Sequence, residues 1–389
     1  MVMLFFEPIR CYNRLMVLKY NWQKSDWPAF RYDLSVINEA LCAVSEKTGL
    51  ISGKLTHLSE ELRTETLISF LVEEAVKTSK IEGEYINRID IRSSIKNKLG
   101  LNKIIIPVHD RRAKGIAELM IDVRNTFKEP LSEYKLYAWH EMLFGGFLNP
   151  ALQIGCWRTG DEPMEIISGY YGKKTMHYEA PPSEDVPKEM KRFIHWFNNT
   201  SPDKPEAIKF APVRAAIAHL YFESIHPFED GNGRIGRAIA EKALSQGFGY
   251  PAMLSLSRTI EANKKAYYST LHSASQSNEI TAWIQYFVDT ILSAQISVEE
   301  QINFILKKSI FFDRYQNDLN ERQIKVLRRM MHAGIKGFEG GMSAKKYMSI
   351  TGISKATATR DLQHLLLINA FKQIGSGRSV RYELNFSDL

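Results

Sequence analysis

Two apolar runs, IAHLYFESI (Ile217–Ile225) and RIGRAIAEKAL (Arg234–Leu244), flank a short loop that carries Gly231 and Gly233. This arrangement constrains the chain more than any other stretch. It predicts a buried helix, a loop with backbone geometry closed to most residues, and entry into a second buried helix. The free N–H groups at the second helix's start, reinforced by its dipole, make an anion site. Arg234 and Arg237, three apart, lie on one face within a turn of that site and form two charged clamps. Asp230 is a hard oxygen ligand suited to a Mg²⁺ that keeps most of its waters. His226 has the side chain whose ordinary pKa suits a general base near neutral pH. Base, metal carboxylate and polyphosphate cradle together point to transfer of a nucleotide or phosphoryl group to a hydroxyl. The plainer alternative is a helix-capping turn whose arginines sit in surface ion pairs.

Helical periodicity extends over most of the 389 residues, which are 44% hydrophobic and 24% charged. This is the balance of a globular chain long enough for two or three domains. Ser35 is placed to cap a helix to about Lys47, stopped by Gly49, and Leu55 to Ile81 carries an apolar stripe. Further helices are expected at Arg111–Phe127, Ser132–Leu143, Val186–Asn198, Pro205–Ser224, Arg234–Gln246, Arg258–Ser275 and Glu279–Phe304. Glu165–Glu179 breaks the pattern and reads as a β-hairpin. The body is therefore expected to be all-α with one small hairpin.

The C-terminal part differs in charge and pattern. From Ser309 to Leu389, 13 Lys/Arg against 7 Asp/Glu give +6 of the net +7. Ser343–Ile350, a Gly352 turn, Ser354–Leu366 and the alternating AFKQIGSGRSVRYEL form a winged helix-turn-helix pattern. Leu362, Leu365 and Leu366 supply its buried face. Lys355, Thr357, Thr359 and Arg360 on the second helix, with Arg378 and Arg381 on the wing, are the candidate DNA contacts. A protein-binding or dimerisation module is the alternative. No apolar run approaches the ~18 residues of a membrane helix, so no membrane role is expected. Cys11, Cys42 and Cys156, odd in number and without metal-type spacing, suit a reducing, cytoplasmic setting. Residues 1–15 carry no reading.

HPFEDGNGRIGR, from His226 to Arg237, matches the Fic motif HPFx(D/E)GNGRxxR at every fixed position. The chain resembles the Fic family over roughly residues 60–300, with the hairpin ahead of the motif and a Gly-x-x-Arg-type segment at Gly155–Arg158. YNWQKSDWPAFRYD, residues 20–33, resembles the start of a bacterial subgroup with an extra N-terminal helical domain. The resemblance implies a Fic-type helical core over residues 106–305, between an N-terminal helical domain at 1–105 and the winged helix at 309–389. It also implies transfer of AMP from ATP to a Ser, Thr or Tyr hydroxyl of a target protein. His226 would be the base and Asp230 the Mg²⁺ ligand. Gly231, Asn232 and Gly233 would form the anion hole, and Arg234 and Arg237 would hold the outer phosphates. Lys174, Thr175, Met176, His177 and Tyr178 would align the target backbone as a flap. Asn263, Tyr267 and Tyr268 would form part of the adenine pocket.

TSKIEG, Thr78 to Gly83, fits the family's inhibitory pattern (S/T)xxxE(G/N). The resemblance then implies that Glu82 pairs with Arg237 and denies it to the γ-phosphate, with Thr78 and Gly83 completing the motif. A homodimer is common among relatives. Alternatives of other classes are a nucleotide-sensing DNA-binding regulator and a Fic-fold phosphotransferase or de-adenylylating enzyme.

Overall fold

The structure, a computed structural model, describes residues 19–145, 152–168, 175–335 and 337–387. It is mostly helical, with two small two-stranded hairpins. The helices are α1 (Asn38–Thr56), α2 (Glu60–Ile81), α3 (Arg88–Lys98), α4 (Arg111–Asn125) and α5 (Glu133–Phe144). After β1 (Glu165–Ser168) and β2 (Thr175–Glu179) come α6 (Val186–Asn199), α7 (Ala211–Ile225) and α8 (Asn232–Phe248). There follow α9 (Leu256–Ala262), α10 (Lys264–Ala274), α11 (Thr281–Tyr315), α12 (Glu321–Met331), α13 (Ala344–Thr351) and α14 (Lys355–Leu367). The last elements are β3 (Phe371–Ile374) and β4 (Arg381–Leu384). None of the described helices is long and apolar enough to cross a membrane.

The chain divides into two compact units. The first holds the described residues up to Leu41, Ala75–Ala252 and Leu256–Asp289; the second holds Cys42–Glu74, Met253–Ser255 and the described residues from Thr290. At the centre of the first unit, every residue of α7 is buried. A helix surrounded on all sides cannot be amphipathic, and its sequence is apolar except at Arg214, His219, Glu223 and Ser224. Arg214 gives N–H bonds to the Phe197 carbonyl (2.6 Å) and Thr200 Oγ1 (3.2 Å), with its guanidinium over the Phe197 ring. Gly236 of α8 faces Glu223 and His219 so closely that a Cβ there would lie 2.4 Å from the Glu223 carboxyl.

β1 and β2 pair antiparallel, with a bulge between Ile166 and Ile167. Aromatic residues from the irregular N-terminal segment pack against this hairpin. Tyr20 meets Tyr178 edge-on at 4.9 Å, and Trp22 Nε1 donates to the Glu179 carbonyl at 2.8 Å. Asn21 Nδ2 donates to Ser224 Oγ at 2.8 Å, so the segment also grips the end of α7.

In the second unit, Phe311, Tyr315, Val326, Leu327, Leu362 and Leu365 belong to one buried cluster. Ser343 and Ser354 cap α13 and α14 through their hydroxyls. Gly352 turns between those helices with φ 74°, and β3–β4 forms the following hairpin.

Several expected boundaries move. α1 runs through Gly49 to Thr56, because Lys47 and Lys54 both bind Glu299 at 2.6 Å and hold the helix across the glycine. The Leu55–Ile81 stripe is broken at 57–59. α7 begins at Ala211 rather than Pro205, and the expected Arg258–Ser275 helix is split at Asn263, whose φ of −134° leaves the helical region. α11 passes Phe304 and ends at Tyr315, because Phe311 and Tyr315 are buried in the cluster beyond it. α3 and α12 were not expected. Their polar sequences hide an Ile91–Ile95 pair and a Val326–Met330 pair at helical spacing.

Candidate active site

α7 terminates at His226, which is in the left-handed conformation (φ 50°, ψ 60°). A non-glycine residue there carries strain, so the surroundings must hold it. Arg158 does so: its Nε donates to the His226 carbonyl at 2.8 Å, and its other N–H groups reach Ser183 Oγ and the Pro181 carbonyl. Asn232 closes the loop from the other side, accepting from Phe228 N (2.9 Å) and donating to Phe228 O (2.7 Å). Gly231, with φ 81°, then starts α8. Its missing side chain admits the Phe144 ring, whose edge would lie 2.7 Å from a Cβ.

No side chain caps α8. A carboxylate from the turn that ends α2 stands instead against the first turn of α8. A Cβ on Gly233 would lie 2.3 Å from Glu82 Oε1, so only glycine permits this approach. Glu82 Oε1 also accepts from Arg237 Nη2 at 2.8 Å. Thr78 completes the clamp: Arg237 Nε donates to its hydroxyl (2.8 Å) and Nη2 to its carbonyl (3.1 Å). The Arg237 side chain is 1% exposed. Burial works against both charges, yet each partner outweighs it: Glu82 lies below the ordinary carboxylate range and Arg237 above the ordinary arginine value.

The geometry of this carboxylate follows from how α2 ends. Gly83 has φ 83°, its N–H bonds the Lys80 carbonyl (3.1 Å), and the Glu84 N–H bonds the Ser79 carbonyl (2.9 Å). This is a Schellman termination, which needs a left-handed residue at the position of Gly83. Lys264 Nζ donates to the Ile81 carbonyl, and Lys77 and Lys80 pair with Glu261 at 2.9 and 2.6 Å.

A cavity of about 610 Å³ opens beside these groups. Glu82, His226, Gly233 and Arg237 line one part, Tyr268, Leu271 and Ser275 another, with Ile166 and Tyr178 from the hairpin. Burial, then the nearby Arg158 charge, pushes the His226 imidazole down to about 4, so it is neutral at pH 7. Burial pushes the Glu223 carboxyl up to about 8; its Oε2 is 3.8 Å from His226 Nδ1. A neutral imidazole, an anion-accepting helix start and a buried guanidinium thus share one cavity. They can take a proton and hold phosphate.

Not every expected residue lines this cavity. Arg234 does not: its Nη1 donates to Glu84 Oε1 at 2.9 Å and its guanidinium lies over Phe144. The Asn232 side chain serves the loop, leaving only its backbone to an anion. Asp230 is at the wall with its side chain 59% exposed. Asn263 is not a lining residue but begins α10. Tyr267 is buried yet reaches the cavity wall, with its hydroxyl 2.7 Å from His219 Nε2, and the half-open Tyr268 lines the cavity beside it. Tyr178 donates its hydroxyl to the Ser224 carbonyl at 2.6 Å and anchors the hairpin from inside. Lys174 lies outside the described residues, and of Thr175, Met176 and His177 only the backbone is described. Arg158 belongs to the Gly155–Arg158 segment singled out in the sequence but had no role assigned to it, and Glu84 and Lys264 were missed. Of these two, Glu84, two residues beyond Glu82 across a glycine, left a signal that could have been read.

Residues 130–244, which include the whole loop and its arginines, match the profile described as Fic/DOC family. This segment belongs to that family. Residues 20–101, ahead of the Fic domain, match a domain of unknown function, DUF4172. Among curated proteins the chain is similar to a probable protein adenylyltransferase of Aquifex aeolicus, 28% identical over 166 residues, 43% of this chain and 44% of that one. It is also similar to the protein adenylyltransferase Fic of Drosophila grimshawi, 29% identical over 130 residues, 32% of this chain and 25% of that one. The chain thus spans less than half the length of these relatives. Among solved structures, a Fic domain containing signaling protein from Bacteroides thetaiotaomicron superposes with a TM-score of 0.50 at 19% identity, covering 69% of this chain and 96% of that one. Fic-1 from C. elegans also gives 0.50 at 19% identity, covering 70% and 74%. Both show the Fic fold.

Proposed function

We propose that this chain is a protein adenylyltransferase held in a restrained state by its own Glu82. The observation that carries this reading is the Glu82 carboxylate over the uncapped start of α8, paired with Arg237, beside neutral His226. One carboxylate occupies the place and the guanidinium that a nucleotide phosphate requires. The names of the Aquifex and Drosophila relatives support AMP as the transferred group.

In this reading His226 takes the proton of a target Ser, Thr or Tyr hydroxyl. The freed oxygen bonds to the α-phosphorus of ATP, and pyrophosphate leaves with the electrons of the broken P–O bond. The backbone of Gly231–Gly233 and Arg237 hold phosphate oxygens, and the β1–β2 hairpin aligns the target chain. Tyr268 faces the base and ribose. Among the described residues no three His, Cys, Asp or Glu side chains are grouped to hold a metal. The exposed Asp230 alone fits Mg²⁺, which takes one carboxylate together with nucleotide phosphates and water. When bound, Mg²⁺ would neutralise phosphate charge.

Incubation of the full chain with α-labelled or γ-labelled ATP and Mg²⁺ tests this directly. Protein label from the α position alone is expected. Label from the γ position points to phosphorylation, and no label from either, even with Glu82→Gly, leaves a nucleotide-sensing regulator.

A second reading concerns α13, α14 and the β3–β4 hairpin, which we read as a winged helix. Lys355, Thr359 and Arg360 are exposed on α14 and Arg381 on β4, in a segment carrying +6. This favours duplex DNA as a partner. Thr357 is half-buried and its N–H is held by Ser354, so it contributes less; of Arg378 only the backbone is described. Binding of the full chain to duplex DNA should weaken steeply with salt, as released counterions require. No binding at low salt leaves a protein-interaction role.

A further inference from the structure

The two arginines of the α8 start do not share a partner. Arg237 meets Glu82, while Arg234 meets Glu84, with Nη1 to Oε1 at 2.9 Å. We infer that Glu84 is a second restraining residue, which positions Arg234 away from the cavity and withholds it from a nucleotide's phosphates. This rests on the nucleotide reading of the cavity above.

Three observations carry it. First, the Schellman turn at Gly83 fixes Glu82 and Glu84 on one rigid element, two residues apart, and α8 presents Arg237 and Arg234 three residues apart to receive them. Two carboxylates on one turn match two guanidiniums on one helix face. Second, Arg234 is nearly as buried as Arg237, with its side chain 4% exposed, yet it does not line the cavity that Arg237 lines. Its plane lies over the Phe144 ring, 4.9 Å from the centroid, with Asp230 Oδ1 at 3.5 Å from Nη2. Third, the pair is incompletely satisfied. Glu84 Oε2 and Arg234 Nε are both buried without a hydrogen-bond partner. A purely structural ion pair in such a place would have its remaining donors and acceptors filled. This pair is instead a contact that a better anion can replace.

The consequence is that removing Glu82 alone releases one clamp of two. Movement of the whole 82–84 turn, or loss of both carboxylates, is needed to turn Arg234 toward phosphate. A ligand or partner that displaces the end of α2 would release both arginines together.

The test is ATP affinity, measured by calorimetry on the full chain in the presence of Mg²⁺. Glu82→Gly/Glu84→Gln should bind ATP about tenfold more tightly than Glu82→Gly. In the Glu82→Gly/Arg234→Ala background, Glu84→Gln should change nothing, because its effect passes through Arg234. Loss of a merely structural contact would weaken binding and lower Tm instead. Equal or weaker binding by the double variant overturns the inference, as does a gain that persists without Arg234. Transfer of α-label by Glu82→Gly reports separately on the adenylyltransferase reading, so either can fail without the other.

Discussion

Two helices in this chain start just after a glycine turn with basic residues in their first turns, and they are built in opposite ways. α14 caps itself: Ser354 Oγ accepts from Thr357 N, and its Lys355 and Arg360 are exposed. α8 has no side-chain cap, and its Arg234 and Arg237 are buried against carboxylates. A capped helix start has satisfied its amides locally and offers little to an anion beyond its side chains. An uncapped start leaves its first amides open, and here the Glu82 carboxylate stands beside them, bonded to Arg237. Exposed charge is cheap and compatible with simple solubility, whereas buried, competed-for charge marks a site where one anion stands in for another.

The largest effect that can break this contrast is at His226. His226→Ala should lower AMP transfer by on the order of 10²–10⁴-fold with ATP affinity nearly unchanged, since in the proposed reaction the imidazole acts on the incoming hydroxyl. Near-normal transfer in that variant removes the base from the buried region. Next comes Gly233→Ala. Its backbone is helical and the nearest atoms to its added methyl are the side-chain ends of Glu82 and Arg237, so folding should survive. In a Glu82→Gly background the same methyl fills the anion site, and ATP affinity should drop roughly ten- to a hundredfold, the worth of a charge-assisted hydrogen bond. An unchanged affinity would mean that phosphate does not sit at the start of α8.

The pH profile sharpens the contrast further. Because His226 titrates at about 4, the Glu82→Gly variant should keep its base neutral and its rate nearly flat from pH 7 to about 5.5. An ordinary histidine near 6.5 would lose about tenfold over that span. The same shift has a stability sign. For His140 and His219, pushed down to about 4 chiefly by burial, the unfolded state takes up protons first as pH falls below about 6.5. Their contribution to stability is therefore full above 6.5 and lost towards 4. Glu223, raised to about 8, opposes this trend in part: folding favours its protonated form above 4.5, so its penalty shrinks as pH falls. The smallest effect belongs to the other helix. Ser354→Ala should cost about 1 kcal/mol and lower by a few degrees the Tm of the unit containing α14, without touching AMP transfer.

How much of this was legible in sequence depended on whether a residue's partner was local. The loop from His226 to Arg237 carries its own geometry in Gly231, Gly233 and Asn232, and TSKIEG carries the turn that aims Glu82. The Glu84–Arg234 pair joins residues 150 positions apart, so neither segment shows it alone. Tyr267 lines the cavity beside Tyr268, but the hydrogen bond that fixes it there, to His219, is invisible to helical spacing. Helix boundaries failed for the same reason. Gly49 does not stop α1, because Glu299 holds it from far along the chain, and α11 continues past Phe304 to bury Phe311.

In the proposed restrained state Glu82 and a nucleotide phosphate compete for Arg237. The most direct measurement of that competition is the rate at which α-label from ATP enters protein for the unaltered chain, Glu82→Gly and Glu82→Gly/Arg237→Ala. Freeing a guanidinium from a charge-assisted bond of ~1.5–3 kcal/mol should raise the rate roughly ten- to a hundredfold in Glu82→Gly. The double variant should fall back to the starting level, and Glu82→Gln should be at least partly released. Equal rates in the unaltered chain and Glu82→Gly, or a gain that survives Arg237→Ala, would contradict the claim.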